Sequence, residues 1–159
     1  MNVVTHLLNH PRWPLLIYPG AMEKVSPEAF EELFARNKWP AAWRNGVHPF
    51  HHFHSNGHEA LGIYSGEVTV QFGGDGGVTV TAKPGDVIVL PAGTAHKKLA
   101  SRGALGVVGA YPEGSAPDTC MGFQKLDLDK IARVPLPAAD PVFGADGPLF
   151  TYWRAASAA

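Results

Sequence analysis

The chain has 159 residues and a formal net charge of −1, with 18 glycines, 14 prolines, eight histidines and one cysteine. The near-neutral charge argues against nucleic acid or an anionic membrane as a partner, because both bind to basic surfaces. The single cysteine, Cys120, excludes an internal disulfide framework. We find no signal peptide and no apolar membrane span, and we expect one soluble cytoplasmic domain over residues 1–159.

The N-terminal part predicts one strand and one helix. Leu15–Tyr18 is an apolar run bounded by prolines and is expected to form an edge strand. A short N-terminal helix is expected over about residues 27–37, because Ser26 is a good N-cap and Asn37 is a suitable stop. The apolar residues spaced i, i+3 and i+4, which predict a helix face packed on a sheet, are Phe30, Leu33 and Phe34.

Residues from about 47 to 111 are expected to form the strands of a barrel core. Polar and apolar residues alternate on both sides of Gly73–Gly77, which predicts a hairpin. Gly66 is suited to a tight reversal that needs a positive φ. Val87–Leu90 is short and apolar, as in a buried strand, and the last clear strand is expected to begin at Ala104.

The proline-rich remainder, about residues 112–154, cannot form a core of its own. We therefore expect it to wrap the barrel or a partner subunit. Leu126–Ile131 predicts a short turn of helix within it, and the alanine-rich residues 155–159 are expected to fray.

Five of the eight histidines lie between residues 48 and 58. Imidazole is the commonest metal ligand near neutral pH, so this density favours a bound cation over histidines held by ordinary hydrogen bonds. His52 and His54 are two residues apart, and on a strand their side chains leave the same face, roughly 7 Å apart. A returning strand could add the carboxylate of Glu59, and His96 is a donor from a distant strand.

These residues stand in a pattern that resembles the two sequence motifs of the cupin superfamily. The first motif is matched by Gly46, His52, His54, Glu59 and Gly66, and the second by Gly85, Pro91, Gly93 and His96. An asparagine that ends the second motif is replaced here by Ala100. The match covers about residues 46–100, and the flanking segments resemble the small bacterial cupins of the YjlB-like group.

The resemblance implies an all-β fold, a double-stranded β-helix or jelly-roll barrel, accompanied by the short N-terminal helix. It also implies that His52, His54, Glu59 and His96 bind one divalent metal ion. Three neutral nitrogens and one carboxylate suit Fe, Mn or Ni and would leave about two positions free on a six-coordinate ion, and Zn could also bind. Such positions would admit water, dioxygen or a chelating small molecule.

Strand alternation predicts the surroundings of this ion. The apolar residues that share parity with the ligands, and so predict a mainly apolar cavity, are Phe50, Leu61 and Ile63. Lys98 should share a face with His96 unless a bulge intervenes, and it is the candidate catalytic residue or carboxylate-binding group. In the alternative, Lys98 lies in water at the barrel mouth. His51 is expected to be structural, and His58 to support a ligand or to lie at the rim.

Two classes of function follow. We favour a metal-dependent enzyme that acts on a small organic acid or a related metabolite by dioxygenation, isomerisation or decarboxylation, because buried ligands are costly to keep for structure alone. The alternative is a non-catalytic module that captures a metal or a metabolite. A metal-free cupin acting on sugars is disfavoured, since candidate ligands occupy all four positions.

We also expect a homodimer. Parity places Phe53 and Tyr64 on the outside of the barrel, and Trp39 and Trp43 flank it. Exposed apolar surface of this kind needs a cover, from a second copy or from the chain's own termini. The expected partners are therefore a second copy and a small-molecule ligand.

Overall fold

One antiparallel sheet organises the part of the chain that this computed structural model describes, residues 2–4, 10–122 and 124–154. The strands are β1 (Asn2–Val4), β2 (Leu15–Tyr18), β3 (Ala41–Asn45), β4 (His52–Phe53), β5 (Glu59–Phe72), β6 (Val78–Ala82), β7 (Val87–Leu90), β8 (His96–Ala110) and β9 (Cys120–Met121). The helices are α1 (Pro27–Arg36), α2 (Leu128–Ala132) and α3 (Leu149–Tyr152). The sheet curls as a jelly roll, which confirms the all-β class with a short N-terminal helix. None of the described helices is long and apolar enough to cross a membrane.

The long strands β5 and β8 form the spine of the sheet and pair along most of their length. The other edge of β5 pairs first with β7 and then with β6. The other edge of β8 pairs with β4 at its start and with β3 at its end. Three register shifts interrupt the β5–β8 ladder. Because a bulge bends its strand and increases the local twist, these shifts help the two long strands to curl.

Gly66 lies at one of these irregular places, with a φ of 71°. The predicted positive φ is confirmed, but the predicted reversal is wrong, because β5 continues through Gly66 and its register shifts between Ser65 and Glu67. A Cβ at this position would lie 2.9 Å from the carbonyl oxygens of Arg102 and Ala104. Glycine therefore permits both the backbone conformation and the close approach of β8.

Three other sequence predictions concern the strands. The hairpin at Gly73–Gly77 is confirmed, since it joins β5 to β6 with Phe72 opposite Val78. The strand at Leu15–Tyr18 is confirmed, but its edge position is wrong, because β1 pairs with its outer side and β7 with its inner side. The last long strand begins at His96, well before the predicted Ala104, because bulges keep its two halves in one strand.

The barrel wall is buried on both of its faces. The side chains that fill the interior belong to one apolar cluster, Leu15, Leu61, Ile63, Val68, Val70, Phe72, Ile88, Leu90 and Val107 among them. Their neighbours along the strands pack outside against α1 and the C-terminal tail, including Leu16, Ala60, Val87, Val89 and Val108. Both faces of β7 therefore need apolar side chains, which explains the unbroken apolar run that the sequence shows there.

Helix α1 covers the outer face of the wall. Ser26 Oγ accepts a hydrogen bond from the backbone N–H of Ala29 at 3.0 Å, which confirms the predicted N-cap. The predicted apolar face is also confirmed, since Phe30, Leu33 and Phe34 are buried. Gly62 of β5 admits this helix, because a Cβ there would lie 2.7 Å from the Phe30 ring.

The C-terminal tail, described over residues 112–122 and 124–154, packs on its own barrel. Trp39 Nε1 donates to the Ala139 carbonyl at 2.8 Å, and the Tyr18 hydroxyl donates to Asp140 Oδ2 at 2.7 Å. Trp153 Nε1 donates to the carbonyl of Pro14 at 2.8 Å. The predicted turn of helix is present as α2. The predicted fraying of residues 155–159 lies outside the described residues.

The aromatic side chains that predicted a homodimer do not form an exposed apolar surface. Phe53 and Trp39 are 3% and 0% exposed, and the tail packs on Trp39 through the Ala139 carbonyl. Tyr64 is half-buried against the outer cluster, and Trp43 lines an interior cavity. The chain's own segments therefore cover these side chains, and the homodimer stays a prediction.

Candidate metal centre

Three histidines converge in the barrel interior. Donor atoms of His52, His54 and His96 all lie within 4.8 Å of one another, and the three side chains are buried. Pairing between β4 and β8 sets His52 directly opposite His96, and His54 follows immediately after β4. The structure therefore brings together the three histidines that the sequence motifs singled out.

Each of the three rings is held at Nδ1 by a backbone carbonyl. The pairs are His52 Nδ1 with Phe50 O at 3.1 Å, His54 Nδ1 with Asp118 O at 2.5 Å and His96 Nδ1 with Thr94 O at 3.0 Å. Because a carbonyl can only accept, each Nδ1 carries a proton in the neutral ring. Each Nε2 is then left with a free lone pair, the arrangement that metal-binding histidines adopt.

Glu59, the first residue of β5, brings a carboxylate to the same place. Its Oε1 atom lies 3.4 Å from His54 Nε2 and 3.3 Å from His96 Nε2. Glu59 is 3% exposed, and Oε1 has no hydrogen-bond partner among the described residues. Buried acceptor atoms that face one another are unfavourable unless a cation or a proton lies among them. The residues present therefore fit a divalent metal ion.

The charge states of the free site agree with this interpretation. Burial alone would raise the pKa of Glu59, but its contacts with His54 and His96 outweigh burial and lower that pKa, so the carboxylate is ionised at neutral pH. Burial and the proximity of His96 lower the pKa of His52 to about 4, which keeps this ring neutral. Burial also opposes protonation of His54, yet the nearby carboxylate of Glu59 raises its pKa. A proton and a metal ion would compete for the space between His54 and Glu59.

The four candidate ligands open into a cavity of about 380 Å³. Its lining is mixed, with Trp43, Val47, Pro49 and Leu61 beside Asn45, His48, Lys98, Tyr111 and Thr119. The prediction of a mainly apolar cavity is therefore wrong. Ile63 packs in the interior cluster instead, and Phe50 is 38% exposed outside the cavity lining. Strand parity does not extend back to Phe50, because β4 begins only at His52.

Lys98 lines this cavity together with His96. The two residues lie opposite Val70 and Phe72 of β5 in an unbroken stretch of ladder, and the register shifts only beyond Lys98. The backbone N–H of Lys98 donates to the His48 carbonyl at 2.9 Å, which ties this part of β8 to the segment before β4. Lys98 is thus where its parity places it, and its chemical role stays a prediction.

Tyr111, directly after β8, is a cavity residue to which sequence reasoning assigned no role. Its hydroxyl oxygen accepts a hydrogen bond from Trp43 Nε1 at 3.1 Å, and its ring lies 5.7 Å from the His54 ring. Burial and the charge of Glu59 raise the pKa of Tyr111 to about 12. The hydroxyl is therefore protonated at neutral pH and can donate a hydrogen bond.

Asp118, in the C-terminal tail, is the second residue that sequence reasoning missed. Besides its carbonyl contact with His54, its Oδ1 accepts from the backbone N–H of Ser55 at 2.7 Å, and its Oδ2 accepts from the Ser55 hydroxyl. Partial burial opposes ionisation, but hydrogen bonds from Ser55 and the charge of Lys130 lower the pKa of Asp118. No periodic pattern in the tail sequence could have revealed this contact.

The other histidines of the cluster have structural surroundings. His51 Nε2 lies 3.0 Å from Asp75 Oδ1, in agreement with the structural role expected for it. His58 is 1% exposed, so the prediction that it lies at the rim is wrong, whereas its support of a ligand stays a prediction. Its Nδ1 accepts from the backbone N–H of Ala92 at 2.9 Å, and its Nε2 donates to the Pro135 carbonyl at 3.0 Å. Because both ring nitrogens are used, His58 links the turn before β8 to the tail.

Comparison with known proteins gives relatives in sequence and in structure. Residues 43–103 match the cupin domain family. The chain is 38% identical over 148 residues to "Uncharacterized protein YjlB" of Bacillus subtilis, an alignment that covers 91% of this chain and 88% of that protein. A DUF861 family protein of Thermotoga maritima is 26% identical, with a TM-score of 0.36 over 60% of this chain and 96% of the other. Procruciferin, an 11S globulin of Brassica napus, is 15% identical, with a TM-score of 0.38 over 57% and 28% of the two chains.

Proposed function

We propose that this chain, which belongs to the cupin family as one of the small bacterial cupins of the YjlB-like group, is a metal-dependent enzyme for a small organic acid or a related metabolite. The observation that carries the proposal is the set of buried acceptor atoms at one end of the cavity. Donor atoms of His52, His54 and His96 lie within 4.8 Å of one another, and Glu59 Oε1 lies beside His54 and His96 without a hydrogen-bond partner among the described residues.

In this proposal His52, His54, Glu59 and His96 hold one divalent ion of Fe, Mn, Ni or Zn. The ion would supply Lewis acidity, and for the redox-active metals electron transfer as well, at positions that the protein leaves free. The carbonyls bonded to each Nδ1 keep the histidine rings aimed inward. Glu59 contributes a negative charge that offsets part of the charge of the dication.

The rest of the cavity favours a small anionic substrate. Its volume, about 380 Å³, is near the lower end of the range that small-molecule sites occupy. The Lys98 ammonium can hold a substrate carboxylate, and the Tyr111 hydroxyl can donate to a second oxygen. Lys98 and Tyr111 line the same cavity, so the two groups can contact one small ligand. Dioxygenation, isomerisation and decarboxylation of such an acid are all compatible with these groups.

A non-catalytic module that captures a metal or a metabolite is the second candidate function. The same buried acceptor atoms support it, since capture requires the ligands and no turnover. Lys98 and Tyr111 favour a site for a second ligand over simple metal storage, and turnover of that ligand is what separates the enzyme from a module that captures a metabolite.

The test is elemental analysis of protein purified without added metal, followed by assays with a panel of small carboxylic acids. Oxygen uptake and loss of each acid are measured for the wild type and for Glu59→Gln. About one metal ion per chain, with turnover that is lost in Glu59→Gln, is the expected result. Bound metal without turnover of any acid would favour the binding module. Protein that retains no Fe, Mn, Ni or Zn when each is offered would overturn the proposal.

A further inference from the structure

Part of the C-terminal tail, residues 115–121, runs along the segment that carries the first two candidate ligands. Strand β9 pairs with β4, so that Met121 lies opposite His52 and Cys120 opposite Phe53. Further along, Asn56 Nδ2 donates to the Ala116 carbonyl at 3.3 Å. This tail segment therefore lies beside the candidate metal centre, although it is outside both sequence motifs.

Within this tail segment, Asp118 makes the most hydrogen bonds to the residues that carry and follow His54. Its side chain accepts two hydrogen bonds from Ser55, one from the backbone N–H at 2.7 Å and one from the hydroxyl. Its own backbone N–H donates to Asn56 Oδ1 at 2.8 Å. Its carbonyl accepts from His54 Nδ1 at 2.5 Å. One residue thus joins the ring of a candidate ligand and the two residues that follow it.

We propose that Asp118 is a positioning residue for the metal centre, whose side chain fixes the carbonyl that orients His54. This inference rests on the proposed function, since it assumes that His54 binds a metal. The carbonyl and the carboxylate belong to the same residue, so a carboxylate locked on Ser55 leaves the carbonyl little freedom. Metal-binding imidazoles depend on such partners for their ring orientation and basicity.

The backbone carbonyl remains whatever side chain stands at position 118. Substitutions there therefore test only whether the side chain holds that carbonyl in place. Asp118→Ala removes both bonds to Ser55 and frees the carbonyl to move. Asp118→Asn keeps the shape, because its Oδ1 can still accept from the Ser55 N–H and its amide can donate to the Ser55 hydroxyl. If Asp118 acts by positioning through hydrogen bonds, Asp118→Asn should keep the metal affinity that Asp118→Ala loses. If it acts only through its negative charge, both variants should lose metal affinity.

The experiment uses Co(II) as the probe, with the full chain. Its affinity is measured by competition with a chelator, and its visible absorption spectrum reports the coordination. We expect Asp118→Ala to weaken Co(II) binding about 10–100-fold and to alter the spectrum, and Asp118→Asn to stay near the wild type. Tyr18→Phe is the control, since it removes a buried bond from Asp140 of the tail to the barrel without touching the site. It should lower the unfolding midpoint and leave Co(II) affinity and spectrum unchanged.

Each outcome bears on the proposal. Wild-type affinity and spectrum in Asp118→Ala would overturn it, and so would an equal loss in Asp118→Ala and Asp118→Asn. If Asp118→Ala does not fold, Ser55→Ala removes the hydroxyl contact alone, and an unchanged spectrum there would overturn the proposal. A wild-type protein that binds no Co(II), Ni(II) or Zn(II) would instead defeat the proposed function, which is a distinguishable result.

Discussion

His52 and His96 face each other across strands β4 and β8, with their ring centroids 4.0 Å apart. Two protonated imidazoles at this separation would repel each other in a buried site. The fold prevents this, since burial and the proximity of His96 lower the pKa of His52 to about 4. The pair is therefore suited to share a cation near neutral pH, and it should release that cation as the solution becomes acidic.

Glu59→Gln should weaken metal binding by more than the 10–100-fold that the loss of a contact supporting a ligand usually costs. The substitution keeps the size of the side chain but removes the negative charge beside His54 and His96. Metal bound per chain and chelator competition measure the effect. His51→Ala is the matched control, because His51 belongs to the same histidine-rich segment but pairs with Asp75 at the surface. Equal loss of metal in both variants would contradict the assignment of Glu59.

Lys98→Gln should weaken the binding of a small dicarboxylate to the metal-loaded protein by about 10-fold or more, as expected for a lost charge-assisted hydrogen bond. Oxalate is a suitable probe, and its binding can be followed through the visible spectrum of the Co(II) form. Lys97→Gln serves as the control, since Lys97 is the adjacent residue of β8 and lies outside the cavity lining. An equal effect of both substitutions would show that the general charge of the strand, and not Lys98, attracts the anion.

The metal-free protein should lose stability as the pH falls from about 6.5 to about 4. Burial lowers the pKa of His58 to about 4 in the folded state, whereas the unfolded chain takes up the proton near pH 6.5. The unfolded state thus binds more protons in this window, and the free energy of unfolding must fall with pH, by up to about 3 kcal/mol from His58 alone.

Denaturant unfolding in the presence of a chelator, repeated at several pH values, measures this loss. His58→Gln should be less stable at pH 7 and should show a flatter dependence on pH. His51→Ala should keep the steep dependence, because it leaves the His58 ring and both of its backbone contacts in place. Parallel pH profiles for His58→Gln and the wild type would show that another buried group causes the loss.

Gly66→Ala should destabilise the protein by roughly 1–3 kcal/mol, because a side chain there would combine an unfavourable φ of 71° with contacts of 2.9 Å to two carbonyl oxygens. Gly74→Ala is the control. Gly74 also has a positive φ, 85°, but a Cβ there would meet nothing within 4 Å. The free energies of unfolding of the two variants separate the cost of the steric contact from that of the backbone conformation. Equal costs would mean that β8 can move away from Gly66.

Parity along short stretches predicted part of the site correctly. His52 and His54 converge as their spacing predicts, and Lys98 shares the cavity with His96 because no bulge separates them. Tyr111 escaped the same reasoning. Beyond Lys98 the register of β8 shifts several times, so the residues that face inward change from even to odd numbers before Tyr111 is reached. A bulge is not visible in the alternation of polar and apolar residues. Strict alternation therefore could not predict which residues face inward along the whole of β8.

Long-range pairing accounts for the other errors. Phe53 was expected to be exposed on the outside of the barrel, but it is 3% exposed, and the strand that carries it pairs with β9 of the tail. The contact between Asp118 and His54 depends on the same docking of the tail. Composition predicted that the tail must pack on something, since it could not form a core alone. It could not predict where, because β9 has only two residues and the rest of the tail is held by isolated contacts, such as the hydrogen bond of Trp153, that leave no sequence pattern.

The attachment of His54 to Asp118 also fixes an order of events during synthesis. All four candidate ligands leave the ribosome before Asp118 does, since His96 precedes it in the chain. A nascent chain that ends between these residues would expose the ligands without the carbonyl that aims the His54 ring. In the proposed metal centre, the His54 ring would therefore gain its carbonyl partner only after the tail has emerged and docked.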